Sequence, residues 1–100
     1  MNILILKGDS VKAIVKYRYT RSGVVHCEVI QGQCGPTIHK GKAGGGGYDK
    51  HKAALAGAVI DGVKIHDHCD IPPLDDGQPM ANISGIERLE AIGYNLIRIK

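Results

Sequence analysis

Ile3, Leu4, Ile5 and Leu6 form an unbroken apolar run, the pattern of a short strand covered on both sides, and Gly8-Asp9-Ser10 follows as a turn. From residue 11 to residue 20 the pattern becomes alternating over its second half. Val15, Tyr17 and Tyr19 fall on one side and Lys16, Arg18 and Thr20 on the other, and a period of two predicts a half-buried strand. Arg21-Ser22-Gly23 fits a hairpin turn into a second β-rich run over 24–30, so the pair reads as an antiparallel hairpin. Two glycines and Pro36 interrupt the pattern between 31 and 36. A further strand is predicted over 37–43, giving a meander of three or four strands.

The second half carries the helical signals. Residues 48–60 read as one helix: Asp49 can cap it, and Ala53, Ala54, Leu55, Ala56, Ala58, Val59 and Ile60 supply a small apolar face. Gly57 costs such a helix about 1 kcal/mol relative to Ala, which suggests a place where the helix approaches the sheet closely. Asp61-Gly62 is read as its end. Residues 63–70 allow a short strand, and 71–79, with Pro72, Pro73 and Pro79, read as a loop of polyproline character. Ser84 with Glu87 three residues later matches a capping box. Ile86, Leu89 and Ile92 then form the apolar stripe of a short helix closed by Gly93, and 94–100 is the last strand. The expected fold is α+β: an antiparallel sheet of about four to five strands with two helices packed on one face, residues 1–100 making one compact domain.

Composition sharpens this picture. The 100 residues are 43% apolar and 23% charged, the balance of a globular chain, with no Phe and no Trp. The core must therefore be aliphatic, with four tyrosines as its only large rings. The net charge of +3, concentrated between Lys7 and Lys52, allows weak phosphate attraction but is far from the basic stripe of a dedicated nucleic-acid binder. Direct nucleic-acid contact is thus possible but not favoured. The apolar run at 3–6 has no basic segment before it and is too short for a membrane span, so it reads as a strand rather than a signal peptide. Three cysteines, Cys27, Cys34 and Cys69, cannot all pair within one chain; reduced thiols and a cytoplasmic location are expected.

Three stretches invite chemistry. Gly44, Gly45, Gly46 and Gly47 precede a helix start and could offer backbone N–H groups to a phosphate. However, Asp49 would repel an anion, and Lys50 lacks the following Ser or Thr of a phosphate-binding loop. A strand-to-helix turn is the simpler reading, with phosphate or nucleotide binding as the alternative. His66, His68 and Cys69 are weak zinc candidates, because ligand pairs at two separate places are the usual requirement and only one place is present. A His26/Cys27 catalytic pair is disfavoured since strand neighbours point to opposite faces. Tyr17 and Tyr19 alternate with Lys16 and Arg18, which separates rings from charges. The chain is therefore read as non-enzymatic, with no catalytic residue and no cofactor.

The segment from Gly41 through Gly44-Gly45-Gly46-Gly47-Tyr48-Asp49-Lys50, its alanine-rich continuation, and Leu89-Glu90-Ala91-Ile92-Gly93-Tyr94 near the end together resemble a group of small orphan proteins encoded by bacteriophages and prophages. In this chain His51-Lys52 stands where those proteins carry a serine. The resemblance implies a protein that binds a host protein or protein–nucleic acid complex, including an inhibitor of a host defence complex in the manner of anti-CRISPR proteins. On this reading the partner-binding residues are Lys40, Lys42, Tyr48 and Lys50, flanking the glycine turn. A homodimer through an open edge at the first or the last strand is also expected.

Overall fold

The computed structural model describes residues 2–44, 50–66 and 86–99. In chain order the elements are β1 (Asn2–Lys7), β2 (Ser10–Tyr19), β3 (Val25–Gln31), β4 (Thr37–Ala43), α1 (Lys50–Leu55), β5 (Val59–Ile60), β6 (Val63–Lys64), α2 (Glu87–Ala91) and β7 (Asn95–Ile99). Five strands form one sheet in the order β4-β3-β2-β1-β7, antiparallel throughout, and β5 and β6 make a separate two-stranded hairpin. The fold is α+β, as the pattern predicts.

Local chemistry sets the meander. Lys7 pairs with Ser10 across a two-residue turn in which Gly8 has φ 61°, the positive value that a tight hairpin demands of its first central residue. Between β2 and β3, Thr20 and Val24 are joined by the Thr20 N–H to the Val24 carbonyl at 3.0 Å, while the Thr20 hydroxyl accepts the Val24 N–H at 3.1 Å. One face of the sheet then collects Ile3, Ile5, Ala13, Val15, Tyr17, Val25, Cys27 and Val29. Ala54 and Leu55 of α1, Ile60 and Ile65 of the small hairpin, and Ile86 and Leu89 around α2 join them in a single buried cluster. Each fully buried aliphatic side chain is worth about 1.5–3 kcal/mol, so this cluster binds the small elements to the sheet.

The helix expected over 48–60 is shorter. It spans Lys50–Leu55, and the chain leaves it through Gly57 at φ 91°. The Gly57 N–H then bonds the Ile65 carbonyl at 2.9 Å and the Ile65 N–H bonds the Ala58 carbonyl at 2.8 Å, which zips up the hairpin. Asp61 and Gly62 both have positive φ, 51° and 81°, so they are the turn between β5 and β6, not a helix end. An Asp-Gly pair between β-branched residues favours this turn over further helix. Gly57 does not mark a close approach: no atom lies within 4 Å of where its β-carbon would be. The close approach is at Gly41.

Helix α2 also departs from the capping-box reading. Its N-cap is Ile86, with no side-chain capping bond, so Glu87 opens the helix instead of standing three residues inside it. Ile86 and Leu89 are buried as expected, but Ile92 lies past the last helical residue and is 40% exposed. Asp49, Ser84 and the loop at 71–79 lie outside the described residues. No helix of the described residues is long and apolar enough to cross a membrane.

Candidate functional site

Alternation along each strand that buries one face of the sheet sends every second residue to the other. The registers place Ile97, Leu4, Ile14 and Ile30 side by side across β7, β1, β2 and β3. In the next row stand Ile99, Asn2, Lys16, Glu28 and Lys40, and beyond it Arg18, His26 and Lys42. Every one of these side chains is half-buried or exposed, so none of the described elements covers this face. It is divided in two: an aliphatic band, extended by Leu6 and Val11, and a block with four cations against one carboxylate.

The charged block surrounds an open depression of about 520 Å³ lined by Lys16, Arg18, His26, Glu28, Lys40 and Gly41. Glu28 lies between Lys16 and Lys40 in the register and accepts a 2.8 Å hydrogen bond from the Thr37 hydroxyl. That bond holds the carboxylate towards Thr37, and the four cations outnumber it and dominate the surrounding field.

The tyrosines take the opposite side. Tyr17 is buried in the core. Tyr19, 52% exposed, receives support at the rim from His51, whose Nε2 is 2.8 Å from the Tyr19 hydroxyl. Tyr17 meets the same imidazole edge-on at 4.9 Å. His26 is thus the only ring in the open-face rows, consistent with the expected separation of rings from charges.

Of the expected partner-binding residues, Lys40 and Lys42 are exposed on this face. Lys50 belongs to α1 on the covered side and donates its ammonium to the Gly23 carbonyl at 2.7 Å. Tyr48 lies outside the described residues, as do Gly45, Gly46 and Gly47 of the phosphate alternative. Gly44 is described and packs near Val24. The zinc candidates His68 and Cys69 also lie outside. Among the described residues no group of three His, Cys, Asp or Glu could hold a metal. Cys27 points into the core, where burial, with a smaller contribution from Glu28, pushes its thiol from 9.0 to about 12. Cys34 is exposed in the turn after β3.

Lys16, Arg18 and His26 join Lys40 and Lys42 only through strand pairing. The alternation of β2 shows that Lys16 and Arg18 share a side, but the pairing partners of β3 are needed to bring them opposite β4. No family model, curated protein or solved structure matches this chain.

Proposed function

We propose that this protein is a non-enzymatic binding module that docks an acidic protein surface, bearing aliphatic residues, on the open face of its sheet. The observation that carries this reading is the register, which sorts that face into an aliphatic row, Ile97-Leu4-Ile14-Ile30, beside the cationic block of Lys16, Arg18, Lys40 and Lys42. Removing aliphatic area from water contributes about 25 cal/mol per Å², whereas an exposed ion pair contributes about 0.2–1 kcal/mol. The aliphatic row would supply affinity, and the cations would supply orientation and association rate. A protein partner is favoured over a single-stranded nucleic acid because stacking of bases uses aromatic platforms, and the tyrosines of β2 lie on the covered side. The thiol of Cys27, held protonated in the core, is unsuited to nucleophilic work. The resemblance of the glycine turn to phage and prophage proteins supports a host protein as the partner, with a defence complex among the candidates.

Capture from bacterial lysate tests this, comparing the native chain with a Lys16→Glu/Lys40→Glu variant, a Leu4→Asp variant and a covered-side control, Lys64→Glu. The expected result is one stoichiometric protein retained by the native chain and the control. It should be lost with Leu4→Asp, and with Lys16→Glu/Lys40→Glu it should be weakened and made less sensitive to salt. Retention by all variants, or capture abolished by nuclease treatment, would overturn the reading.

A further inference from the structure

The two edges of the sheet are finished differently. At β4, α1 packs against the strand, the His39 ring reaches the Ala54 carbonyl at 2.9 Å, the register slips between Val29 and Ile30, and Lys40 and Lys42 stand among the exposed residues. The bulge and the lysines are ways of preventing another strand from adding to an edge. At β7 none of them is present among the described residues. Asn95–Ile99 pairs with β1 without a bulge and contains neither Pro nor Gly. Ile97 and Ile99 are 49% and 45% exposed. Its one charge, Arg98, opposes Ile3 in the register and so lies on the covered side, in a niche with Glu87 and Lys52.

We propose that the β7 edge pairs with the β7 edge of a second copy of this chain, in antiparallel register centred on Ile97. The strand is suited to itself. Its midpoint is an exposed isoleucine, so a two-fold axis there sets Ile97 against its own counterpart, Leu96 against Arg98, and Asn95 against Ile99. No like charges are brought directly opposite, and cross-strand aliphatic pairs are the favourable unit of sheet pairing. The interface is isologous and closes at two copies. Both β4 edges remain outermost, already blunted. The pairing also joins the two aliphatic rows into one stripe running from Ile30 of one copy to Ile30 of the other across a ten-stranded sheet, which doubles the apolar half of the open face.

Sedimentation velocity over a wide concentration range tests the state directly, expecting a species of twice 10.7 kDa that disappears in Ile97→Lys. Because Ile97 is half exposed, the variant keeps its fold, which far-UV circular dichroism verifies. A second measurement uses Ile97→Cys and Val59→Cys, each in a Cys34→Ser/Cys69→Ser background. Residues directly opposite in an antiparallel pair have Cα atoms about 4.5–5.5 Å apart, within the span of a disulfide. Mild oxidation should cross-link Ile97→Cys into a covalent dimer and leave Val59→Cys largely monomeric. A chain that stays monomeric at every concentration, a dimer that survives Ile97→Lys, or equal cross-linking at both positions would overturn the proposal.

Discussion

The His39 ring donates its Nε2–H to the Ala54 carbonyl at 2.9 Å, one strand residue meeting the last turn of a helix. A carbonyl in that turn has no intrahelical partner, and the imidazole supplies one. Gly41, two residues along β4, lies beneath the same carbonyl, and a β-carbon there would overlap the Ala54 oxygen and stand 2.9 Å from the His39 ring. The obstacle is backbone, which cannot rotate aside. Gly41→Ala is therefore expected to cost about 1–3 kcal/mol, read as a lower urea midpoint with an unchanged slope.

His39→Phe keeps a ring at the same place but leaves the Ala54 carbonyl without its donor. The expected loss is about 1–3 kcal/mol. Amide exchange localises the effect: protection should fall in α1 first, while the β2–β3 ladder keeps its rates.

Cys27 makes stability fall at high pH. Its folded value of about 12 lies above 9.0, so below pH 9 the thiol is protonated in both states and its contribution is intact. Above pH 9 the unfolded chain releases that proton and the folded chain does not, and stability is lost progressively towards pH 12. Tyr94 acts in the same direction above pH 10, its hydroxyl being raised chiefly by the bond it donates to Asp61. Cys27→Ala should flatten the alkaline limb of a stability–pH curve. In a Cys69→Ser background, a thiol reagent at neutral pH should label Cys34 promptly and Cys27 only on unfolding.

The Tyr94 hydroxyl donates to Asp61 Oδ2 at 2.7 Å and ties β7's entry to the β5–β6 turn. A cycle of Tyr94→Phe, Asp61→Gly and the double variant should give a coupling energy of about 0.5–2 kcal/mol. Gly removes the acceptor and adopts the positive φ of position 61 without strain, so the cycle isolates the contact from the turn. Additive losses would show that the two residues act separately.

The strands were legible because Val15, Tyr17, Val25, Cys27 and Val29 recur at every second position, and because the 37–43 segment is bounded by glycines; Ile14 and Ile30 break the alternation on the open face. The second half was harder to read. Val59-Ile60-Asp61-Gly62 carries a hairpin signal, but the run of alanines before it is a helix signal of greater length, and periodicity cannot mark where one yields to the other. The rule that Gly57 inside a helix marks close approach also picked the wrong glycine, because contact with Ala54 depends on where β4 passes beneath α1. For the candidate site, Lys40 and Lys42 stood out as exposed basic residues beside the glycine run. Their association with Lys16 and Arg18 depends on a register across two strand pairs, information that no single segment contains.

The pairing of Asn2 with Ile99 has a kinetic consequence. The pairs within β1 to β4 join neighbours in the chain and close short loops, whereas seating β7 beside β1 closes almost the whole length, a step whose entropic cost places it late. Until then β1 is itself an unpaired margin, with Leu4 and Leu6 along it. In that interval the strand that completes the sheet can come from another chain, so at high concentration refolding should yield exchanged dimers in which each copy lends its final strand to the other.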